Sequence, residues 1–336
     1  MGRIRFLSGD QVAALLNGRE QEILDAVAEA YLAHQQGQSS LPHSSFLRFP
    51  DQPRDRIISL AAYLGGATPV AGLKWIASFP GNLDQGLPRA SAVMVLNSAT
   101  TGLPLAILEA SLVSARRTAA SAALAAQRLV AEPPASAGLI AAGPINFEVA
   151  RFLSVVFPGL SDLAVFDLSR ERAEAFVRRC RRELPRLSPR VVATAREAMT
   201  TGAVLCYATT AGEPHVRDLS ACPPGTVILH VSLRDLAPEV ILAANNVVDD
   251  VDHVARAQTS IHLTEQQAGS RQFIWCSLGE ILAGAAPPRP HPGGLTIFSP
   301  FGLGILDLAV ARLVLEKAER TGQGLDLPFL PTTGEP

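Results

Sequence analysis

The chain has 336 residues, which at roughly 150 residues per domain favours two domains over one or four. Apolar residues make up 48% and charged residues 18%, a balance that buries a sizeable core and excludes a disordered, collagen-like or disulfide-scaffold chain. Lys+Arg 29 against Asp+Glu 31 leaves a net charge of -2, so no basic surplus points to nucleic acid or to an anionic membrane surface.

Four cysteines, Cys180, Cys206, Cys222 and Cys276, have no CxxC spacing, and the first residues lack the apolar core of a signal peptide; a reducing cytoplasm is the expected location. No apolar run reaches the roughly 18 residues of a membrane helix before Arg, Asp or Pro interrupts it. Arginine is this chain's usual cation, since only Lys74 and Lys317 are lysines. Lys317 falls in LEKAER, on an expected exposed helix face, whereas Lys74 interrupts the apolar AGLKWIASF, where an ammonium needs a reason.

Ser8 and Gln11 are spaced as a capping box before AALL, and EILDAVAEAYLAH carries apolar residues at helical spacing, so the chain opens with two helices broken near Gly18. From Arg48 the pattern changes to RIISLAAYLG, VAGLKWIASF, ASAVMVLN and LPLAILEA, which read as strands, the last two a hairpin across SATTG. SLVSARRTAASAALAAQRLVA has no Gly or Pro and predicts a long helix ending at the linker EPPASA. Strand and helix then alternate through AGLIAAG, INFEVARFLSVVF, DLAVFD and SRERAEAFVRRCRREL. RVVAT, AVLCYATT and TVILHVS are near-continuous apolar runs, as in a doubly wound parallel sheet covered on both faces. The end, LTIFSPFGLGILDLAVARLVLEKAER, gives one more strand and, after Gly304, a long helix expected to return to the first domain. There is no internal repeat, and the Pro-rich APPRPHPGG reads as a surface loop.

Three constellations carry chemistry. Ala141-Ala142-Gly143-Pro144-Ile145-Asn146, at the first strand–helix junction, keeps only the middle glycine of GxGxxG. A dinucleotide pyrophosphate requires a tight turn there, close backbone approach and a helix N-terminus. Asp167 ends the second strand 24 residues after Gly143, where an acid accepts hydrogen bonds from the adenosine ribose and favours NAD; Arg170, three residues on, leaves NADP open. The alternative is a covered strand–turn–helix with no ligand. The second constellation is Arg48, Lys74 and the pair Arg116-Arg117 with Thr118, cations that suit the carboxylates of an amino acid. Its alternatives are solvated surface arginines and an inner salt bridge for Lys74. The third is Asp235 in HVSLRD, just past the carboxyl end of a strand, where open parallel sheets bind ligands. The alternative for Asp235 is an N-cap of the following APEVILA helix, and for His230 a hydrogen-bonded core residue. The remaining histidines are too scattered for a metal site, so no metal is expected.

GLKWIASFPGN, GLPRASAVMVLN, TTGLPLAILEAS, SARRTAASAALAA, GPINFEVARF, the strand ending in Asp167 and SPFGLGILDLA, in this order over almost the whole chain, together resemble the ornithine cyclodeaminase and mu-crystallin family. Within it, SSFLRFPDQPRDRIISL, KWIASFPGN, GPINFE and HVSLRDLAPEVI look most like the dehydrogenases of 2,3-diaminopropionate biosynthesis. Those enzymes cleave N-(2-amino-2-carboxyethyl)-L-glutamate to 2,3-diaminopropionate and 2-oxoglutarate with reduction of NAD, in siderophore or antibiotic precursor synthesis.

The resemblance implies an α/β protein: a Rossmann-type doubly wound sheet over residues 131–299, plus a discontinuous α+β substrate-binding and dimerisation domain over 1–130 and 300–336. It implies a homodimer built through the sheet of that domain. By position it makes Lys74 and Asp235 catalytic, and Arg48, Lys74 and Arg117 substrate-binding. It assigns NAD to Arg117, Thr118, Gly143, Pro144, Ile145, Asn146, Asp167, Thr209, Ser232 and Gly302. In that reading Asp235 transfers the proton, while Lys74 holds a carboxylate or polarises a carbonyl. Two departures stand out. Ala141 replaces a glycine of the phosphate turn, implying a displaced turn and weaker cofactor binding. Leu233-Arg234-Asp235-Leu236-Ala237-Pro238 replaces the loop of true cyclodeaminases, which argues against ornithine cyclisation. Rival readings are a ketimine or imino-acid reductase, an amino-acid dehydrogenase, and a non-catalytic nucleotide-binding protein like mu-crystallin.

Overall fold

The computed structural model describes residues 2–288 and 293–330. The centre of the Pro-rich stretch, residues 289–292, lies outside the described residues. In chain order the elements are β1 (Arg3–Leu7), α1 (Gly9–Leu16), α2 (Glu20–Gln35), β2 (Ser39–Ser40), β3 (Ser45–Phe49), β4 (Gln52–Leu64), β5 (Val70–Ser78), β6 (Ala90–Ser98), β7 (Pro104–Glu109) and α3 (Ser111–Leu129). There follow β8 (Ser136–Ile140), α4 (Pro144–Val156), β9 (Asp162–Phe166), α5 (Arg170–Glu183), β10 (Ser188–Val191), α6 (Ala195–Met199), β11 (Val204–Tyr207), β12 (Val227–His230) and α7 (Pro238–Leu242). The chain closes with β13 (Asn245–Val248), α8 (Val251–Val254), α9 (Ser260–Ala268), β14 (Ile274–Ser277), α10 (Leu278–Leu282), β15 (Thr296–Ser299), α11 (Gly304–Thr321) and β16 (Leu325–Pro328). Two compact units result: residues through Arg117 with those from Leu303 onward, and Thr118–Gly302. The division falls inside α3, upstream of the linker EPPASA.

The first unit is built on a sheet in the order β16-β1-β7-β6-β5-β4-β2, with β3 also on β4. Only β1 and β7 run parallel. The Ser8 capping box starts α1 as the spacing predicts, and α1 and α2 are separated at Gly18. Helix α11 lies against α2 and against β4, β5 and β6. Its first two turns are buried all round, from Gly304 through Ala311, which marks a helix enclosed on every side rather than a half-exposed one. Its approach to the sheet needs a residue without a side chain at position 72. A Cβ added to Gly72 would lie 2.4 Å from the Val95 carbonyl oxygen and 2.8 Å from Leu308 Cδ2. Lys317 does not sit on an exposed face: its ammonium meets Glu22 at 2.6 Å, where α11 packs on α2.

The second unit carries an all-parallel sheet in the order β10-β9-β8-β11-β12-β15-β13-β14. Chain order reverses between β8 and β11, the switch point at which doubly wound sheets open a ligand crevice past their carboxyl ends. The central strands β11, β12, β13 and β15 are buried at every position, and for β11, β12 and β15 this matches the apolar runs of the sequence. Strands β1, β13, β14 and β16 were not among the expected elements. RIRFL alternates arginine with apolar residues over only five positions, NNVV begins with two asparagines, and LDLP is exposed along its whole length. β1, β13 and β16 therefore lack the apolar run by which a strand is read.

Candidate functional site

In the first unit, the lysine that breaks an apolar strand meets an acid that breaks an apolar helix. Lys74 on β5 is 1% exposed, and its ammonium donates to Asp307 Oδ2 on α11 at 2.8 Å and to Ser114 Oγ on α3 at 3.0 Å. Asp307 is completely buried, and its other oxygen accepts from Arg117 Nε at 3.1 Å. One carboxylate thus serves two cations. Burial lowers the Lys74 pKa and outweighs the raising effect of Asp307, while Arg117 lowers it further, so that it comes to about 8. Two of the three ammonium hydrogens are engaged, and one donor position remains. The inner salt bridge weighed for Lys74 exists, with a partner 233 residues away.

The pair Arg116-Arg117 divides. Arg117 joins this cluster, whereas Arg116 turns away and donates to the carbonyl of Leu16 at the end of α1. Adjacent helical residues point about 100° apart, so one of two neighbouring arginines is structural. Thr118, the next residue of α3, is half-buried at the start of the second unit. Arg48 lies on β3, exposed, with its guanidinium 5.6 Å from the Phe46 ring centroid. It shares no contact with the Lys74–Asp307–Arg117 cluster.

In the second unit the expected cofactor residues gather at one edge of the parallel sheet. Gly143 follows β8, Asp167 follows β9, Thr209 follows β11, Ser232 follows β12 and Gly302 follows β15. Gly143 caps α4 with no side-chain hydrogen bond, and Pro144, Ile145 and Asn146 form the first helical turn. A Cβ built on Gly143 meets nothing within 4 Å, so packing within the chain does not require glycine there. The open approach and the uncapped helix N-terminus fit a pyrophosphate. Ala141 holds φ at 78°, a left-handed conformation that costs a residue with a side chain roughly 1–2 kcal/mol. The turn nonetheless closes. Ala141 N–H donates to the Phe166 carbonyl and Ala142 N–H to Asp167 Oδ2, each at 2.8 Å. Asn146 braces it from beneath, donating to the Ile140 and Ala141 carbonyls at 2.8 and 2.7 Å. Arg170 points elsewhere, paired with Glu174 at 3.0 Å.

Asp235 is not a helix cap: α7 is capped by Ala237, with Pro238 as its first residue. Its completely buried carboxylate accepts hydrogen bonds from the Thr209 and Ser232 hydroxyls. His230 Nε2 accepts from the Asp235 backbone N–H at 3.2 Å and lies 3.4 Å from Oδ2, while Nδ1 meets Ser299 Oγ at 3.2 Å. Burial pushes the Asp235 pKa up, but His230, Ser232 and Thr209 together bring it below the usual carboxylate value. Asp235 is therefore held as an anion. Leu233, two residues earlier, sits at φ 72°, so the loop stores backbone strain beside this group. Nearby, the fully buried Asp249 accepts from the backbone N–H groups of Phe301, Gly302 and Asp250, fixing the turn that contains Gly302.

Several of these residues were missed by sequence reading. Asp307, Ser114, Asp249 and the His230–Ser299 contact bear on the expected residues without matching a motif. For Asp307 a signal was present, an acid inside GILDLAVARLVLEK, the helical counterpart of Lys74 in its strand. Among the described residues no group of three or more His, Cys, Asp or Glu is placed to hold a metal ion, and no helix is long and apolar enough to cross a membrane.

The model of the ornithine cyclodeaminase/mu-crystallin family matches residues 6–322. The chain belongs to this family. A dehydrogenase of N-((2S)-2-amino-2-carboxyethyl)-L-glutamate from Staphylococcus aureus is 27% identical over 328 residues, covering 96% of this chain and 97% of that one. The structure of the Thermococcus litoralis Δ1-pyrroline-2-carboxylate reductase in complex with NADH and L-proline is 27% identical, with a TM-score of 0.90 and coverage of 96% and 100%. An archaeal alanine dehydrogenase dimer with bound NAD is 29% identical, with a TM-score of 0.87 and coverage of 98% and 100%. The likeness thus extends through both units of this family member, and each of these relatives is named for an amino acid or an imino acid.

Proposed function

We propose that this family member is an NAD-dependent oxidoreductase that oxidises the secondary amine of N-(2-amino-2-carboxyethyl)-L-glutamate, yielding 2,3-diaminopropionate and 2-oxoglutarate. The observation that carries the reading is electrostatic. The chain keeps a buried lysine near pKa 8 in one unit and an aspartate held ionised in the other, a division of labour suited to an amine oxidised at near-neutral pH. Likeness to the Staphylococcus aureus enzyme over almost the full length of both chains supports the choice of substrate.

When bound, NAD supplies the hydride acceptor. The first turn of α4 with Gly143 would hold its pyrophosphate, and Asp167 its adenosine ribose. Loss of hydride from the substrate's CH–NH group leaves an iminium; water adds to it with loss of a proton, and the carbinolamine collapses to the keto acid and the primary amine. Lys74, rather than Asp235, has the pKa to exchange protons with the substrate nitrogen and the attacking water near neutrality. Asp235, fixed as an anion by Thr209 and Ser232, stabilises the positive charge that develops on the nitrogen. Arg117 keeps its terminal nitrogens clear of other bonds among the described residues, leaving its planar fork for a substrate carboxylate. Arg48 takes a second carboxylate.

The reaction run in reverse on an imino acid is the second reading, favoured by the close structural match to the pyrroline-2-carboxylate reductase. Replacing Asp235 by Asn tests the assignment. Turnover should fall by about 100-fold or more with NADH affinity, read by fluorescence, within a few-fold of wild type. Unchanged turnover removes Asp235 from the chemistry.

We also assign a homodimer formed through the outer face of the first unit's sheet. In register, Phe6, Ile107, Val95, Leu73 and Ala61 form one row across that face, and Val93 and Trp75 belong to the next. Phe6, Trp75 and Val93 are exposed, an apolar surface of the kind that marks an interface. The archaeal alanine dehydrogenase of the same family is described as a dimer.

A further inference from the structure

Three arginines without counterions stand at one end of the first unit's sheet. Arg48 lies opposite Arg56, Arg56 opposite Ser78, and Ser78 opposite Ala90, which follows Arg89. Directly opposed residues of antiparallel strands share a face, so Arg48, Arg56 and Ser78 project together. Lys74 is four residues before Ser78 on β5 and projects from the same face, about 13–14 Å away along the strand. Phe46, over which the Arg48 guanidinium sits, belongs to the intervening row with Ile58 and Ile76. Arg48, Arg56 and Ser78 therefore mark one station and Lys74 a second along one face; Arg89, one position before Ala90, joins the first through its electrostatic interaction with Arg56 rather than through strand register.

This arrangement is unfavourable as it stands. None of the three guanidinium groups makes an ion pair or hydrogen bond among the described residues, although Arg5, Arg151 and Arg271 all find carboxylates. Burial and Arg48 lower the pKa of Arg56, and burial and Arg56 lower that of Arg89, yet arginine does not give up its proton in proteins, so the repulsion stays. Arg89 Nε and Ser78 Oγ are moreover buried with no hydrogen-bond partner, and such groups carry the full penalty of lost water unless a ligand meets them. An anion with planar, paired oxygens would satisfy all of these groups at once.

Building on the amino-acid oxidoreductase reading, we propose that Arg48, Arg56 and Arg89, with Ser78, form a second carboxylate-binding station that selects amino-acid substrates bearing a further carboxylate away from the one held beside Lys74 and Arg117. Arg56 and Arg89 are then the specificity determinants, and a substrate with a single carboxylate leaves them empty.

Calorimetry on the full chain with NADH bound tests this, using glutarate and butyrate as carboxylates of matched chemistry and inorganic phosphate as the competing anion. Wild type should bind glutarate about tenfold or more tightly than butyrate. Arg56→Gln and Arg89→Gln should erase that preference with butyrate affinity within about twofold of wild type, and Arg56→Lys should restore part of it. Glutarate binding unchanged in both Gln variants, equal loss of both carboxylates in variants that melt like wild type, or phosphate bound in preference to glutarate each overturns the proposal. If Arg56→Gln does not fold, the Arg89→Gln result decides. Arginine-dependent glutarate binding in a chain that turns over no amino or imino acid would sink the oxidoreductase reading and leave the station standing. Turnover of the tricarboxylate with arginine-independent glutarate binding would do the opposite.

Discussion

In the proposed mechanism Lys74 is the residue whose surroundings set the working pH. Burial brings its pKa from 10.5 to about 8 against the pull of Asp307, so it is an ammonium below that value and a free amine above it. Oxidation of an amine needs the unprotonated form of the base, so kcat/KM should rise with pH and level off above about 8. The acidic limit set by Asp235 falls below 3.8, because its carboxylate is held ionised. Asp307→Asn deletes the influence that raises the Lys74 pKa, so the inflection should move to lower pH; a shift to higher pH would contradict this ordering of effects. The same substitution leaves two buried cations facing each other and should lower stability by about 3–5 kcal/mol, measurable by denaturant unfolding. Lys74 was legible in the sequence because an ammonium in an apolar strand needs a reason, either a function or an inner salt bridge. Its partner was not, since the pairing depends on a helix 233 residues further along the chain, and no local pattern carries that distance.

At the scale of the elements, the Lys74–Asp307 pair exists because α11 comes down closely on β5. The close approach depends on Gly72, where a Cβ would strike the backbone of β6 and the side chain of Leu308. Gly72→Ala should lift α11 from the sheet, lower stability by about 1–3 kcal/mol and reduce kcat/KM together with it. A variant with the wild-type melting temperature and rate would show that the helix adjusts freely. The strand-to-helix junctions of the second unit were readable from their apolar runs and from Gly143, whereas the order of the strands is set by pairing between distant segments. The turn at Ala141 was legible only as a departure. In the structure Ala141 takes a left-handed conformation, and the Asp167 and Asn146 side chains hold the turn closed. Arg56 and Arg89 were not singled out in the sequence; strand register brings Arg56 in line with Arg48 and Ser78, and Arg89 meets the group through its interaction with Arg56.

For the whole molecule, membership of the ornithine cyclodeaminase/mu-crystallin family joins two units with different chemistry in a single chain. The exposed Phe6, Trp75 and Val93 on the first unit's sheet are where the proposed homodimer is tested. Val93→Lys places a like charge on both sides of a two-fold contact and should weaken association by about tenfold or more, with light scattering moving from dimer towards monomer mass; an unaltered mass would place the contact elsewhere. The most direct measurement of the central claim is a product balance. Wild-type protein, NAD and N-(2-amino-2-carboxyethyl)-L-glutamate should yield NADH, 2-oxoglutarate and 2,3-diaminopropionate in equal amounts. NADH formed from alanine, or consumed with a cyclic imino acid, while this tricarboxylate is left untouched would contradict it.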